Sequence, residues 1–571
     1  MTDVRAQRAL PRPAAAPDRG PLDGSLYDLV EARFVRLVRD NPVLGTALGL
    51  HQDDDLLGDG SREQVLAELA AERAHLSEIE ALQPAGLSSE ARFERDLEIH
   101  NLRRAIFDIE ELRIWESRSF AMDTVGDGLF LLFARDHAPL AERLAAIAGR
   151  LEAVGAFLEE SKTRASVPQV RRWQQVEIET AADLPAFFDE LVAAGMGVLE
   201  AADQRRLERA AQTARIAVEL YGSWLEGTLA NATDAWAIGR ERHDAMVALR
   251  GFDGLDADAI LELGWERLRE ERDARAAAAH EIDPNADEAT VIAQVKSDHP
   301  GSFDEALGAY RGSMLRARSH LIQRDLVTVP DGERIDVIAT PEYLRKVLPF
   351  AAYFEPAAFD PDPKGIYVVT PSVDGDPNAM REHNFASISN TSIHEAYPGH
   401  HLQLDTARRH PSLTRLLTDA PEFVEGWGMY SELMMREQGF DTEPHFRLIM
   451  HTDAIWRACR IILDVRMHRG EIGVEEATDF LVEQTSFERP NAYAEVQWYT
   501  YRPTYPLSYL LGRTLLLGLR DDEQRRLGDR FSLKDFHDAL LRNGSMPISF
   551  HRRLLARAAA AEGRGTASER A

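Results

Sequence analysis

A large, mainly helical body with one small β-sheet is the fold class this sequence predicts, and three observations lead to it. Apolar residues recur at three- and four-residue intervals over most of the chain, as in VLAELAAERAHLSEIEAL and LAERLAAIAGRLEAVGAFLEESK, which is the spacing of amphipathic helices. Short β-branched and aromatic runs, RIDVIA, FAAYF and GIYVVT, interrupt that pattern only between about Val327 and Ser389. Hydrophobic residues at 44% and charged residues at 28% suit a folded chain with a sizeable core rather than a disordered or fibrous one.

Taken in order, residues 1–24 hold Arg and Pro but no continuous apolar stretch, so a disordered leader is expected, with neither a signal sequence nor a membrane span. From Leu26 to about His320 come amphipathic helices whose charged faces are solvated surface. The sheet follows, and its strand Gly365–Thr370 is expected to stand at an edge where an extended substrate could pair. From Asn390 the helical pattern resumes, and residues 561–571 read as an unstructured tail. Residues 25–560 form a single domain, long enough to divide into two lobes, about 25–325 and 326–560, with a cleft between them.

Sixty-six basic against 95 acidic side chains give a net charge of −29, a field that repels phosphate backbones and anionic lipid, so neither nucleic acid nor membrane is an expected partner. The one cysteine, Cys459, allows no internal disulfide and reads as a small buried hydrophobe, and with no signal sequence a cytoplasmic location is expected. Nothing in the sequence fixes the oligomeric state.

The residues with chemistry concentrate in His394-Glu395-Ala396-Tyr397-Pro398-Gly399-His400-His401-Leu402-Gln403. In the HExxH motif two histidines one helical turn apart converge on zinc while the adjacent Glu serves as general base. Here position 398 is proline. Two imidazoles on one zinc bring their nitrogens within roughly 3.5 Å of each other, whereas a regular helix separates residues 394 and 400 by about 9 Å along its axis. A shared metal therefore requires a broken helix. Tyr-Pro-Gly is expected to supply a two-residue bulge that returns His400 to the face of His394. His401 is the alternative second ligand. Glu425, in Pro421-Glu422-Phe423-Val424-Glu425-Gly426-Trp427-Gly428, is the best third ligand, with Glu422 and Glu432 as neighbours of the same type, and Gly426 and Gly428 would let the two helices approach.

At these residues the chain resembles a bacterial family known as domain of unknown function 885, whose hallmarks are an HExxPGHHxQ string and an EGWxxY string, present here as His394–Gln403 and Glu425–Tyr430. Asp40-Asn41-Pro42, Thr46-Ala47-Leu48-Gly49 and Ser508-Tyr509-Leu510-Leu511-Gly512 also look like family positions. The resemblance implies a helical zincin-like body similar in build to thimet oligopeptidase, carboxypeptidase Taq and angiotensin-converting enzyme. In those peptidases a Gly precedes the second ligand His, which suits Gly399-His400. Where the family commonly has Pro-Gly-Gln, this chain has Pro503-Thr504-Tyr505.

The expectation is a zinc-dependent hydrolase of a peptide or small amide bond, with zinc on His394, His400 and Glu425 and Glu395 as general base. Tyr509 and His468 are further catalytic candidates, His468 as a substrate-facing side chain oriented by Asp464. Arg502, Arg513, Tyr499 and Tyr505 are candidate substrate contacts, the arginines for a substrate carboxylate. Asp453, Arg457, Arg460, Asp464 and His468 also fit a structural ion-pair ladder. Hydrolysis of isopeptides or acyl-amino acids on the same site is one alternative, and a non-enzymatic metal-binding helical protein is another. A di-iron bundle fails on count, because only Glu72-Arg73-Ala74-His75 has the required spacing.

Overall fold

Helices occupy the segments where the three- and four-residue spacing is strongest, and capping side chains begin several of them. The computed structural model describes residues 10–14, 18–341, 345, 348, 350–371, 379–485 and 487–568. Asn41, Ser302 and Asn384 accept backbone amide hydrogens at the starts of Pro42–Leu48, Phe303–Arg324 and Phe385–Glu395. The leader is shorter than expected. The Leu22 amide donates to the Gly86 carbonyl, Asp18 accepts from the Ser89 amide, and the helix Asp23–Asp40 begins inside the predicted leader. Residues 1–9 and 15–17 of that leader lie outside the described residues. The tail is corrected too: Ile548–Ser568 continues as helix past residue 561, carried by its alanine run, while residues 569–571 lie outside the description.

Two main cores organise the helices. Ala121–Ala134, Leu140–Ser161, Arg171–Gly195 and Ala201–Thr228 enclose Leu151, Phe187, Phe188 and Val218. The larger core collects Ala257–Ile282, Phe303–Arg324, part of the sheet, and the helices Pro421–Glu437, Pro444–His468 and Ser508–Leu527. A division near residue 325 does not separate these bodies. Ala257–Ile282 lies along Pro444–His468, with Gly264 so near that a Cβ there would stand 2.8 Å from the Ile461 side chain.

The sheet holds β1 (Ile335–Ala339), β2 (Ala351–Phe354) and β3 (Gly365–Val369) in the order β1-β3-β2. β1 runs parallel to β3 and β2 antiparallel to it, with Val337 and Tyr353 both opposite Tyr367. β3 is thus the central strand, buried along its whole length, as its unbroken apolar run allows. The expected edge pairing with substrate at Gly365–Thr370 is therefore excluded, because both of its ladders are already taken. β2 lies at an edge and carries Tyr353 to the functional helices.

Candidate metal centre

Tyr397-Pro398-Gly399 makes a complete break rather than a bulge: one helix, Phe385–Glu395, ends, and another, His400–Ala407, begins. The Gly399 amide donates to the Ile393 carbonyl at 3.0 Å, in a turn where any Cβ on residue 399 would collide with the Ile393 and His394 carbonyls. Proline can donate nothing there, but its carbonyl accepts the Trp427 indole N–H at 2.7 Å, which ties the turn to Pro421–Glu437. This reversal brings the His400 ring to 4.7 Å from that of His394.

Glu425 completes the group. Its Oε2 lies 3.7 Å from His394 Nε2 and 3.3 Å from His400 Nε2, and each of the three residues offers a ligand atom within 4.8 Å of the others. All three are at most 8% exposed. Gly428 permits this approach, since a Cβ there would stand 2.6 Å from His394 Cε1, and Gly426 packs equally close on Gly512 of Ser508–Leu527.

Burial works against charge at His394, yet the Glu425 and Glu432 carboxylates override it and push its pKa up to about 10. Burial alone would raise the Glu425 pKa, but His400 and His394 hold it well below the usual carboxylate range. A buried carboxylate between two imidazoles calls for positive charge, which protons or a divalent cation can supply. Two imidazole nitrogens and one carboxylate oxygen, converging from three sides, suit zinc with an open fourth position.

Supporting groups fix the ligands. His394 Nδ1 lies 2.7 Å from Glu432 Oε1, and the Asn390 amide donates to Glu432 Oε2 at 3.0 Å and to Asp453 Oδ2 at 2.8 Å. Sequence reasoning did not assign these roles, although Glu432 lies two turns beyond Glu425 and Asn390 one turn before His394, on the same helical faces. Glu422 is occupied elsewhere, accepting from Arg250 at 2.6 Å. The Tyr505 hydroxyl donates to Glu425 Oε1 at 2.8 Å, and Tyr509 stacks edge-on beside it with ring centroids 6.1 Å apart. Glu395 is part-exposed, and among the described residues no hydrogen bond or ion pair engages its carboxylate.

Several expected site residues serve other ends. His401 is fully buried, with Nδ1 2.9 Å from the Tyr353 hydroxyl and Nε2 2.8 Å from Glu333 Oε2, so both nitrogens are committed and it is not the second ligand. His468 is fully buried too. Its Nε2 donates to the Tyr499 carbonyl at 3.0 Å, while Asp464 holds His243 and the Thr504 amide instead, so His468 faces no substrate. Burial pushes the His468 pKa down to about 4. Tyr499 is equally inaccessible, its hydroxyl donating to Glu495 at 2.9 Å. Arg513 is buried and paired with Glu271, so it does not present itself to a substrate carboxylate. Arg502 is exposed beside the Tyr501 ring, and nothing among the described residues joins it to the cluster.

A second group, His51, Asp54 and His137, also brings ligand atoms together. Its two rings stack at 3.7 Å with only 4° between their planes, and His51 already reaches Asp54 at 2.9 Å and Asp360 at 2.8 Å. Imidazole lone pairs lie in the ring plane, so parallel stacked rings suit an ion-pair latch better than a shared metal.

A profile of the family described as "Bacterial protein of unknown function (DUF885)" matches residues 42–555. The chain is similar to a solved structure described as a candidate lipoprotein of unknown function from Shewanella oneidensis, with a TM-score of 0.75 and 22% identity, covering 93% of this chain and 99% of that one. A candidate lipoprotein from Colwellia psychrerythraea gives a TM-score of 0.73 and 18% identity, covering 93% and 98%. Likeness at these identities shows a shared fold. Among curated proteins none matches the chain.

Proposed function

Because the chain belongs to the bacterial family DUF885, whose function is unknown, we propose an activity from its site: hydrolysis of a peptide or peptide-like amide bond, with zinc on His394, His400 and Glu425. Bound zinc supplies Lewis acidity to a scissile carbonyl and lowers the pKa of a water. Glu395 takes the attacking water's proton on a carboxylate that no hydrogen bond or ion pair holds among the described residues, and delivers it to the leaving nitrogen. Tyr509, kept protonated by burial and by the Glu425 charge, is the donor for the oxygen that gains negative charge, while the Tyr505 hydroxyl donates to Glu425.

The observation that carries this reading is the convergence of His394 and His400 on Glu425 Oε2, at 3.7 and 3.3 Å, beside an uncommitted Glu395. A metal with a purely structural task needs no such base, which favours an enzyme over a non-catalytic metal-binding protein. Isopeptides and acyl-amino acids would use the same groups. A zincin-like build is part of the proposal, supported by the His-Glu…Gly-His arrangement across two helices. So is a reducing, cytoplasmic location, supported by the single buried Cys459 and checked by cell fractionation.

Metal analysis by mass spectrometry on the purified protein tests the site. About one zinc per chain is expected, sharply reduced in His394→Ala, His400→Ala and Glu425→Ala and largely kept in His401→Ala. A zinc-supplied wild type that holds no metal would sink the proposal. Turnover of a peptide and isopeptide panel, lost in Glu395→Gln, then tests the chemistry.

A further inference from the structure

Among the described residues most arginines around the site are paired with carboxylates at close range; Arg436 has none but is committed to the Phe440 carbonyl at 3.1 Å and the Ser389 hydroxyl at 3.2 Å. Arg250 reaches Glu422 at 2.6 Å, Arg460 reaches Glu495 at 2.8 Å, and Arg513 is held by Glu271. Among the described residues Arg457 has only Asp453 as a carboxylate partner, at 3.8 Å, and that carboxylate already accepts from Asn390 at 2.8 Å. One guanidinium nitrogen of Arg457 reaches the Asp453 backbone carbonyl at 3.4 Å, and its buried Nε has no partner. In a chain of net charge −29, an arginine short of an anion is out of keeping with its surroundings.

Its position gives that shortage a meaning. On one side Arg457 is joined through Asp453, Asn390 and Glu432 to His394. On the other side is Tyr509, beside Tyr505 and Glu425. Burial and the Glu425 charge favour the protonated Tyr509 hydroxyl, while Arg460 and Arg457 act on it in the opposite direction. Arg457 is thus tied to the His394 flank through Asp453, and to the Tyr509 flank by way of Trp456, which it shares with Arg460, the arginine that lies 4.5 Å over the Tyr509 ring. The Arg457 guanidinium lies over the Trp456 ring, 3.8 Å from the centroid, and its side chain keeps 15% exposure, so it is held in place yet can be reached. Arg460, one turn on, is caged by Trp456, Trp498 and Tyr509 and adds positive charge behind it.

We infer that Arg457 anchors a free carboxylate of the substrate, so that the enzyme releases C-terminal residues or hydrolyses N-acyl amino acids instead of cutting within chains. A peptide's terminal carboxylate always lies on the nitrogen side of its amide bonds, so the anchored residue is the leaving amine. The inference rests on the hydrolase reading above, but the carboxylate site has its own test. It also replaces Arg502 and Arg513 in the role that sequence alone suggested for them.

Calorimetry on zinc-loaded Glu395→Gln protein, which is expected to hold substrate without turnover, compares N-acetyl-phenylalanyl-phenylalanine with its C-terminal amide. The acid should bind roughly ten- to hundredfold more tightly, the worth of a charge-assisted pair. Adding Arg457→Gln should bring the two to equal affinity, with circular dichroism confirming that the variant is folded. Equal binding while Arg457 is intact, no binding of either compound, or a preference that survives in folded Arg457→Gln would each overturn the inference. Tight binding of the acid without any cleavage by wild type would leave the carboxylate site standing and remove the hydrolase reading.

Discussion

Replacing Gly428 by alanine adds one carbon to the face that Pro421–Glu437 turns toward His394. That Cβ would stand 2.6 Å from Cε1, 2.8 Å from Nε2 and 2.9 Å from Nδ1 of the ring. Carbon atoms rest about 3.5–4.0 Å apart, so the ring must retreat by about 1 Å. His394 has little room to do so, because Nδ1 is fixed to Glu432 at 2.7 Å and His400 stands edge-on to it. Metal–ligand distances tolerate about ±0.2 Å, so zinc affinity should fall by at least the tenfold to hundredfold seen for lost supporting groups. That is about 1.4–2.7 kcal/mol less stabilisation by saturating zinc. Helix propensity works the other way, since Gly to Ala inside a helix ordinarily gains about 0.5–1 kcal/mol. Chelator competition and thermal melts with and without zinc separate the two effects. Wild-type zinc affinity in Gly428→Ala, with a raised melting temperature, would refute the placement of the His394 ring.

Glu432→Gln removes the anion that orients His394 and should weaken zinc binding about ten- to hundredfold, read by the same competition; unchanged affinity would deny Glu432 that role. Arg513→Gln leaves buried Glu271 with His451 at 2.7 Å as its remaining partner and should cost about 1–3 kcal/mol in urea unfolding while leaving KM alone; a raised KM at full stability would restore Arg513 as a substrate contact. His468 and His537 are pushed down to about 4 and His551 to about 3, in each case chiefly by burial, against an unfolded value of about 6.5. The unfolded chain therefore binds their protons first. Their contribution to stability is complete above pH 6.5 and is lost as pH falls, by about 2 kcal/mol each between pH 6.5 and 5, before most carboxylates titrate. Denaturant melts that are flat over that window would contradict it.

What sequence spacing could reach, it reached through local geometry. Proline at 398 forbade a regular HExxH helix, and the spacing from 394 to 400 demanded a broken one; the expected two-residue bulge is instead a complete break, with one helix ending and another starting. The misplaced residues share a different cause, in that their partners are remote. Arg513 is claimed by Glu271, 242 positions earlier, and His401 by Tyr353 and Glu333, 48 and 68 positions earlier, so neither could be seen to be occupied. Strand order is likewise non-local: GIYVV reads as a buried strand, but only the pairing with β1 and β2 shows that it has no free edge. Helical spacing put His468 and Asp464 on one face but could not say that His243 and the Thr504 amide would take the aspartate.

That last network explains the departure at Pro503-Thr504-Tyr505. Thr504 has φ +63°, a conformation that glycine adopts freely and a β-branched residue rarely does, so a glycine at the family's corresponding position makes physical sense. Holding threonine there costs on the order of 1–3 kcal/mol. Four hydrogen bonds offset it: the amide donates to Asp464 at 2.9 Å, the carbonyl accepts from Arg250 at 2.7 Å and Ser508 at 3.0 Å, and the hydroxyl accepts from Arg250 at 2.9 Å. Arg250 also grips Glu422, one turn before Glu425, so one guanidinium fixes the loop that carries Tyr505 to the helix that carries its acceptor. Asp464 and Arg250 thus serve the site by holding Tyr505 against Glu425, which is why they sit buried behind it.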